Sequence, residues 1–292
     1  MESNSNITSN IIEAVNIILG NLFSSIDSNV YNVLDDITFI SSDIINDSYF
    51  EKILGTSASN GILLISNSLL FGFLLYYSIK YLFAHFTFQQ IEKPSQFIFK
   101  SIIFGICINF SYFFVGEALN FLSNISLAIR GIGEDLFHKN ICFSELILEI
   151  NNDISITSSS LDIFSLDGII KASLTMSLLN LVFTYSFRYV MIKVFILLTP
   201  FAILSLILEH TSWFFKAWVR NLFSLLFIQI IVSIVLLILF SMDYSSNNLM
   251  TKFVYIGAIY ALIKSNSFVR DFIGGVSTTF TQNVENLFKK SH

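Results

Sequence analysis

LLNLVFTYSFRYVMIKVFILLTPFAILSLILEHTSWFFKAWVRNLFSLLFIQIIVSIVLLILF, from Leu178 to Phe240, is apolar almost throughout. Its only interruptions are Arg188, Lys193, Pro200 and the aromatic–basic step Glu209 to Asn221. A helix needs about 20 apolar residues to cross the hydrocarbon core of a bilayer. The stretch is therefore expected to span a membrane more than once. The rest of the chain agrees: 54% of its 292 residues are hydrophobic and 13% are charged, against about 25% charged in soluble domains. Mean hydropathy is +0.71. The fold class expected is an all-α polytopic membrane protein.

Moving outward from that stretch, five regions separate. Residues 1–59 form an acidic, extracytoplasmic N-terminal segment in which Ile11, Ile12, Val15, Ile18, Leu19, Leu22 and Ile26 recur at helical spacing, with Asn10 and Glu13 as a capping box. This amphipathic helix either lies on the membrane or a partner, or folds back on the chain's own spans. Residues 60–129 hold the first two transmembrane helices, Ile62–Ala84 and Ile102–Leu122, joined by a loop with Lys93, Pro94 and Lys100. Residues 130–168 make an acidic extracytoplasmic loop. Residues 169–269 form the C-terminal transmembrane region: the long Pro-broken segment Ile169–Leu208 and the spans Leu222–Ser241 and Leu249–Val269. Residues 270–292 are a cytoplasmic basic tail ending in Lys289 and Lys290. Residues 1–10 lack a basic region followed by an apolar core, so no secretory signal is expected.

Ile169–Leu208 sets the number of crossings. As one straight helix it would be about 60 Å long, twice the hydrocarbon thickness. It is either a single bent crossing or two spans hinged at Arg188. Basic residues favour cytoplasmic loops. A single crossing puts Lys80, Lys93, Lys100, Lys216, Arg220, Lys264, Arg270, Lys289 and Lys290 inside, and Lys52, Arg130, Lys139 and Lys252 outside. Two crossings reverse that bias in the C-terminal half. The expectation is about five transmembrane helices (alternative six), with the N-terminus outside and the C-terminus cytoplasmic.

Signatures of catalysis are missing from the sequence. There is no GxxxxGK[ST] phosphate loop, no HExxH and no GxSxG, and the four histidines lie in separate segments without ligand spacing. No enzyme, catalytic residue, metal site or cofactor is expected, and scattered basic residues in an acidic chain do not suit a nucleic-acid reader. Cys107 and Cys142 do not make a disulfide framework.

Ionisable and polar residues at membrane depth remain as candidates. Glu117 either lines a polar cavity, pairing with Arg188 or Lys193, or is hydrated near the outer interface. Arg188 and Lys193 either reach membrane depth and need a partner, or mark a cytoplasmic turn. Pro200 kinks or ends its helix. Asn109, Asn180 and Gln229 are candidates for interhelical hydrogen bonds, and Gly257 with Ala261 for a small-residue packing face. Trp213 and Trp218, with Lys216 and Arg220, read as interfacial anchors.

The order of features in residues 170–292 is the basis of a resemblance. An apolar run bearing Arg188 leads into LLTPFAILSLIL (Leu197 to Leu208), then Thr211, Ser212 and WFFKAWVRNL, then the long apolar helix with Gln229. This resembles the TrbL-like polytopic inner-membrane subunit of type IV secretion and conjugation systems. The resemblance implies a multi-pass protein of the bacterial cytoplasmic membrane, present in several copies as a homo-oligomer. Such a subunit would form part of a path for single-stranded DNA with its relaxase. It would work beside other secretion-system subunits, including a conjugation ATPase that supplies the energy. The external loop here is short for that family. Three rivals stand beside it: a permease subunit of an ABC-type transporter, which would carry a coupling helix that Gln89–Lys100 lacks; a secondary transporter, which would show paired broken helices; and an assembly or anchoring protein with no transport path.

Overall fold

The computed structural model describes Ile17 and residues 33–55, 60–88, 92–153, 166–242 and 249–273. Among these, every regular element is helical. The amphipathic Ile11–Ile26 segment (Ile17 apart) and the basic tail from residue 274 lie outside the described residues, as does the centre of the acidic loop.

The chain enters through a helical stretch at residues 33–38 and a short 3-10 turn at Ser42–Ile44, followed by α1 (Ser48–Leu54). Asp47 caps α1 by accepting from the Tyr49 amide, and Gly55 ends it at φ +84, a left-handed position that suits glycine. The α1–α2 connection is tight: a Cβ on Gly61 would stand 2.5 Å from the Gly55 Cα. Helix α2 (Ile62–Thr87) then runs to a left-handed Phe88. Pro94 opens α3 (Pro94–Asn109), where its missing N–H costs nothing.

The expected second span, Ile102–Leu122, is not one helix. The backbone breaks at Phe110, and α4 (Ser111–Phe137) begins afresh. After α5 (Phe143–Asp153), α6 (Leu166–Leu204) runs 39 residues without a turn, and Arg188 sits inside it rather than at a hinge. Pro200 removes a backbone donor near its end. The helix stops one turn later in a tight turn that Thr211 closes by donating to the Ser205 carbonyl. Then come α7 (Ser212–Phe240) and α8 (Leu249–Ile273).

Helices α4, α6, α7 and α8 pack together as the main bundle. Small residues let α4 and α7 approach closely: the Ser126 and Ser233 hydroxyls meet at 2.6 Å, and a Cβ on Gly133 would stand 2.7 Å from Leu237. The α2–α3 hairpin packs on the far end of α6 through Tyr77, Phe97, Ile108, Ile203 and Ile207. An Asn67–Asn109 contact and a Tyr77–Phe97 ring stack at 3.8 Å hold its two helices together.

Four helices are long and apolar enough to cross a membrane, over Ile62–Thr87, Ser111–Phe137, Gly168–Leu204 and Glu209–Phe240; α8 has a shorter apolar run, Phe253–Ser265. The outer face of the first of them carries Phe71, Leu75 and Phe83, each about two-thirds exposed. Water does not tolerate an apolar face of that extent, and lipid does. These helices make this a membrane protein, as the composition implies.

Residues 33–55 do not stay clear of the spans. Ile40, Ile44, Phe50 and Leu54 are buried against α4, α6 and α7. Asp35 reaches the N-terminus of α5, where its carboxylate accepts from the Phe143 amide (2.8 Å), the Ser144 amide (3.1 Å) and the Ser144 hydroxyl (2.6 Å). An anion is favoured there by the helix dipole as well. Asp35→Ala is expected to cost about 1–2 kcal/mol, the usual range for a lost cap. It should show as faster amide exchange at residues 143–146 with the main bundle unchanged.

Candidate functional site

The interior of the bundle carries a polar cluster centred on Arg188. One turn of α6 supplies Tyr185 and Arg188, both fully enclosed. The guanidinium Nε donates to the Leu225 carbonyl of α7 at 2.8 Å, and Nη1 donates to the Thr38 carbonyl at 2.9 Å. Nη2 has no hydrogen-bond partner among the described residues. No carboxylate comes within ion-pair distance of Arg188 among them. Backbone carbonyls therefore do what a counter-ion would otherwise do, and a formal positive charge stays uncompensated inside the fold. That arrangement is costly, because a buried charge is balanced only by excellent geometry and full hydrogen bonding.

Gln229 lies one turn of α7 beyond Leu225. Its Oε1 accepts from the Ile40 amide at 3.2 Å, and its Nε2 has no partner among the described residues. Arg188 and Gln229 thus grip the backbone of residues 38–40 from two helices, one at a carbonyl and one at an amide. Below Gln229, Ser233 donates to its carbonyl and meets Ser126. On the other side, the Tyr185 hydroxyl donates to the Leu262 carbonyl of α8 at 3.1 Å and lies 3.3 Å from the Ser265 hydroxyl. The result is a set of hydroxyl, amide and guanidinium groups in an otherwise apolar bundle, most of them bonded to backbone groups of neighbouring elements. It offers fixed hydrogen-bond donors and positive charge, with no nucleophile–base pair. No group of three His, Cys, Asp or Glu able to hold a metal occurs among the described residues.

Other residues expected from sequence are scattered. Glu117 is exposed on α4, next to Phe113, Phe114 and Phe121, and pairs with neither Arg188 nor Lys193. Lys193 pairs instead with Asp47 at 3.1 Å, its ammonium also lying over the Phe50 and Tyr189 rings. Pro200 is buried about three turns along α6 from Arg188. The two tryptophans divide. Trp213 is exposed, whereas Trp218 turns inward and its indole N–H donates to the Phe195 carbonyl at 2.8 Å. Lys216 and Arg220 are exposed, and so are Gly257 and Ala261. Thr38, Tyr185, Ser126 and Asp35 were not singled out from sequence. The one available signal was ITFI (Ile37 to Ile40), a short apolar run inside an acidic segment that has no other reason to be apolar.

The Asp47–Lys193 tie has a defined pH dependence. The hydrogen bond from Lys193, and then the Tyr49 amide, hold the Asp47 carboxyl below its usual value of 3.8. A depressed carboxylate pKa contributes stability above the unfolded-state value and loses it as pH falls through the folded value. Asp47→Asn should therefore lower the unfolding temperature at pH 6, and the difference should vanish as pH falls through the depressed folded-state value, where the wild-type group is itself protonated. Because Asp47 is exposed, the effect is small and salt-sensitive.

No family model matches the chain, and neither a curated protein nor a solved structure does.

Proposed function

We propose that the chain is a channel or scaffold subunit of a bacterial conjugative, type IV secretion DNA-transfer apparatus, resident in the cytoplasmic membrane as a multi-pass protein. The observation that carries the reading is Arg188. A permanently charged side chain enclosed among apolar helices is kept only where it has work to do. Here it belongs to a set of polar groups on the same two helices, α6 and α7, that carry the TrbL-like features. The cluster is enclosed in the packed bundle, with Arg188 Nη2 and Gln229 Nε2 as its unpartnered donors among the described residues. What favours a path for a polyanion such as single-stranded DNA is therefore its chemistry, fixed donors and positive charge without carboxylates, and not an opening. Partner ATPases supply the energy and several copies assemble. The five-crossing topology, with the C-terminus in the cytoplasm, is part of the proposal. Continuity of α6 through Arg188 supports it, since six crossings need a turn there.

The test is genetic and biochemical together. In-frame deletion in the native host should abolish transfer of the mobile element while relaxase nicking of its DNA continues. Affinity purification in detergent should bring down a conjugation ATPase. Normal transfer in the deletion strain defeats the reading, and an ABC-type ATPase in the eluate replaces it with the permease alternative.

A further inference from the structure

A second feature lies at the other end of the bundle, where α3, α4, the end of α6 and the start of α7 meet. A groove of about 290 Å³ opens between them, with Phe104, Cys107, Phe114, Ile203, Phe215 and Trp218 in its walls. Its exposed lining is wholly apolar. Water in such a space would find no hydrogen-bond partners, so the occupant must itself be apolar. Phe114 and Phe223 are wall residues about half exposed, so the groove opens at the surface of the bundle.

What distinguishes this groove is its rim. Lys216 and Arg220 are four residues apart on α7 and so project from one face. With the half-exposed wall residue Phe223 they fall at i, i+4 and i+7 of α7, so the two cations continue the stripe along which the groove opens. Both are exposed, and neither forms a salt bridge among the described residues. An apolar slot with two free cations at its edge is complementary to one amphiphile: a hydrocarbon chain ending in an anionic head. Basic pockets between membrane helices are known to take anionic lipid head groups.

We infer that this groove is a binding site for an anionic phospholipid, with an acyl chain between α3, α4 and α7 and the phosphate head group held by Lys216 and Arg220. The bilayer supplies the ligand, and the site is independent of the secretion reading. Occupancy by lipid joins α3 to α7, two elements whose shared surface is otherwise an open cleft, and so ties the α2–α3 hairpin to the main bundle.

Trp218 makes the site directly observable. The chain has two tryptophans, and Trp213→Phe leaves Trp218 as the only one. The protein is reconstituted in zwitterionic bilayers containing a small fraction of chain-brominated lipid, anionic in one series and zwitterionic in the other. Quenching of Trp218 should reach half-maximum at a roughly 30-fold lower fraction of the anionic lipid, the preference expected from two surface cations. In the Lys216→Gln/Arg220→Gln variant the two series should coincide. A third protein, Ala118→Phe in the same background, fills the groove from α4 and should lose the anionic preference with both cations intact. Equal quenching by the two lipids in the unmodified groove overturns the proposal, as does a preference that survives loss of both cations. A Trp218 that no brominated lipid reaches also overturns it.

Discussion

Arg188→Ala is expected to destabilise the protein by about 3–5 kcal/mol, the range for emptying a large buried site, and to free residues 33–40 from the bundle. Two opposed effects decide the size. Removing an uncompensated buried charge relieves a desolvation cost of several kcal/mol. Against this, the substitution orphans the Thr38 and Leu225 carbonyls, each at about 1–3 kcal/mol, and leaves a cavity in close-packed surroundings. Arg188→Met separates them. It retains most of the volume while losing the charge and both donors, so it should fall within about 2 kcal/mol of wild type, because relief of desolvation then offsets the orphaned carbonyls. Arg188→Lys should behave worse than its charge suggests, since one ammonium cannot reach two carbonyls in the geometry of a guanidinium fork. Chemical unfolding in detergent reads the stability, and amide exchange at Thr38 and Ile40 reads the release. Unchanged exchange in Arg188→Ala would remove Arg188 as the anchor of that segment.

Trp218→Ala is expected to cost a comparable 3–5 kcal/mol. Its indole is buried, stacks on Phe215 with centroids 5.8 Å apart, and donates to the Phe195 carbonyl. That carbonyl lies in the turn of α6 that Pro200 weakens, and it also accepts from Thr199. Trp218 thus fixes the direction in which α6 ends and α7 begins. Trp218→Phe keeps the ring and loses the donor, so it should cost about 1 kcal/mol, the net value of a hydrogen bond. Trp213→Ala, five residues earlier and exposed, should be almost neutral to stability. Thermal unfolding of the three variants in one detergent gives the comparison, and equal shifts for Trp213→Ala and Trp218→Ala would refute the packing role of Trp218.

The tryptophan pair shows how far sequence reasoning reaches. Both rings precede a cation and both fit an interfacial belt; helical phase separates them. Residue 213 falls on the outward face of α7, while 218 falls with 222, 225 and 229 on the inward face. Phase is legible from sequence when one face is polar. That signal was present in the first turns, where Lys216 and Arg220 share the stripe of Trp213 and leave Trp218 opposite; past Arg220, α7 is apolar all round and its pattern carries no facing information. The same holds for α6, where Arg188 and Lys193 looked equivalent. One is enclosed at the centre of the bundle and the other reaches its edge to meet Asp47. The partners of Arg188 were invisible for a different reason. They are backbone carbonyls, which every residue possesses, and they lie 37 and 150 positions away in sequence.

Helix, lipid solvent and the oily identity of the long stretch followed from composition and run length alone, because the cost of burying backbone polar groups in hydrocarbon leaves a chain of this kind almost no alternative to helices. Continuity of α6 through Arg188, the break at Phe110 and the folding of residues 33–55 into the bundle were decided by tertiary structure. Each depends on which of several equally apolar surfaces fit together and on which distant backbone groups can satisfy a buried donor. Hydropathy sums over residues; packing and hydrogen-bond geometry act between particular pairs, and no local pattern in the chain encodes them.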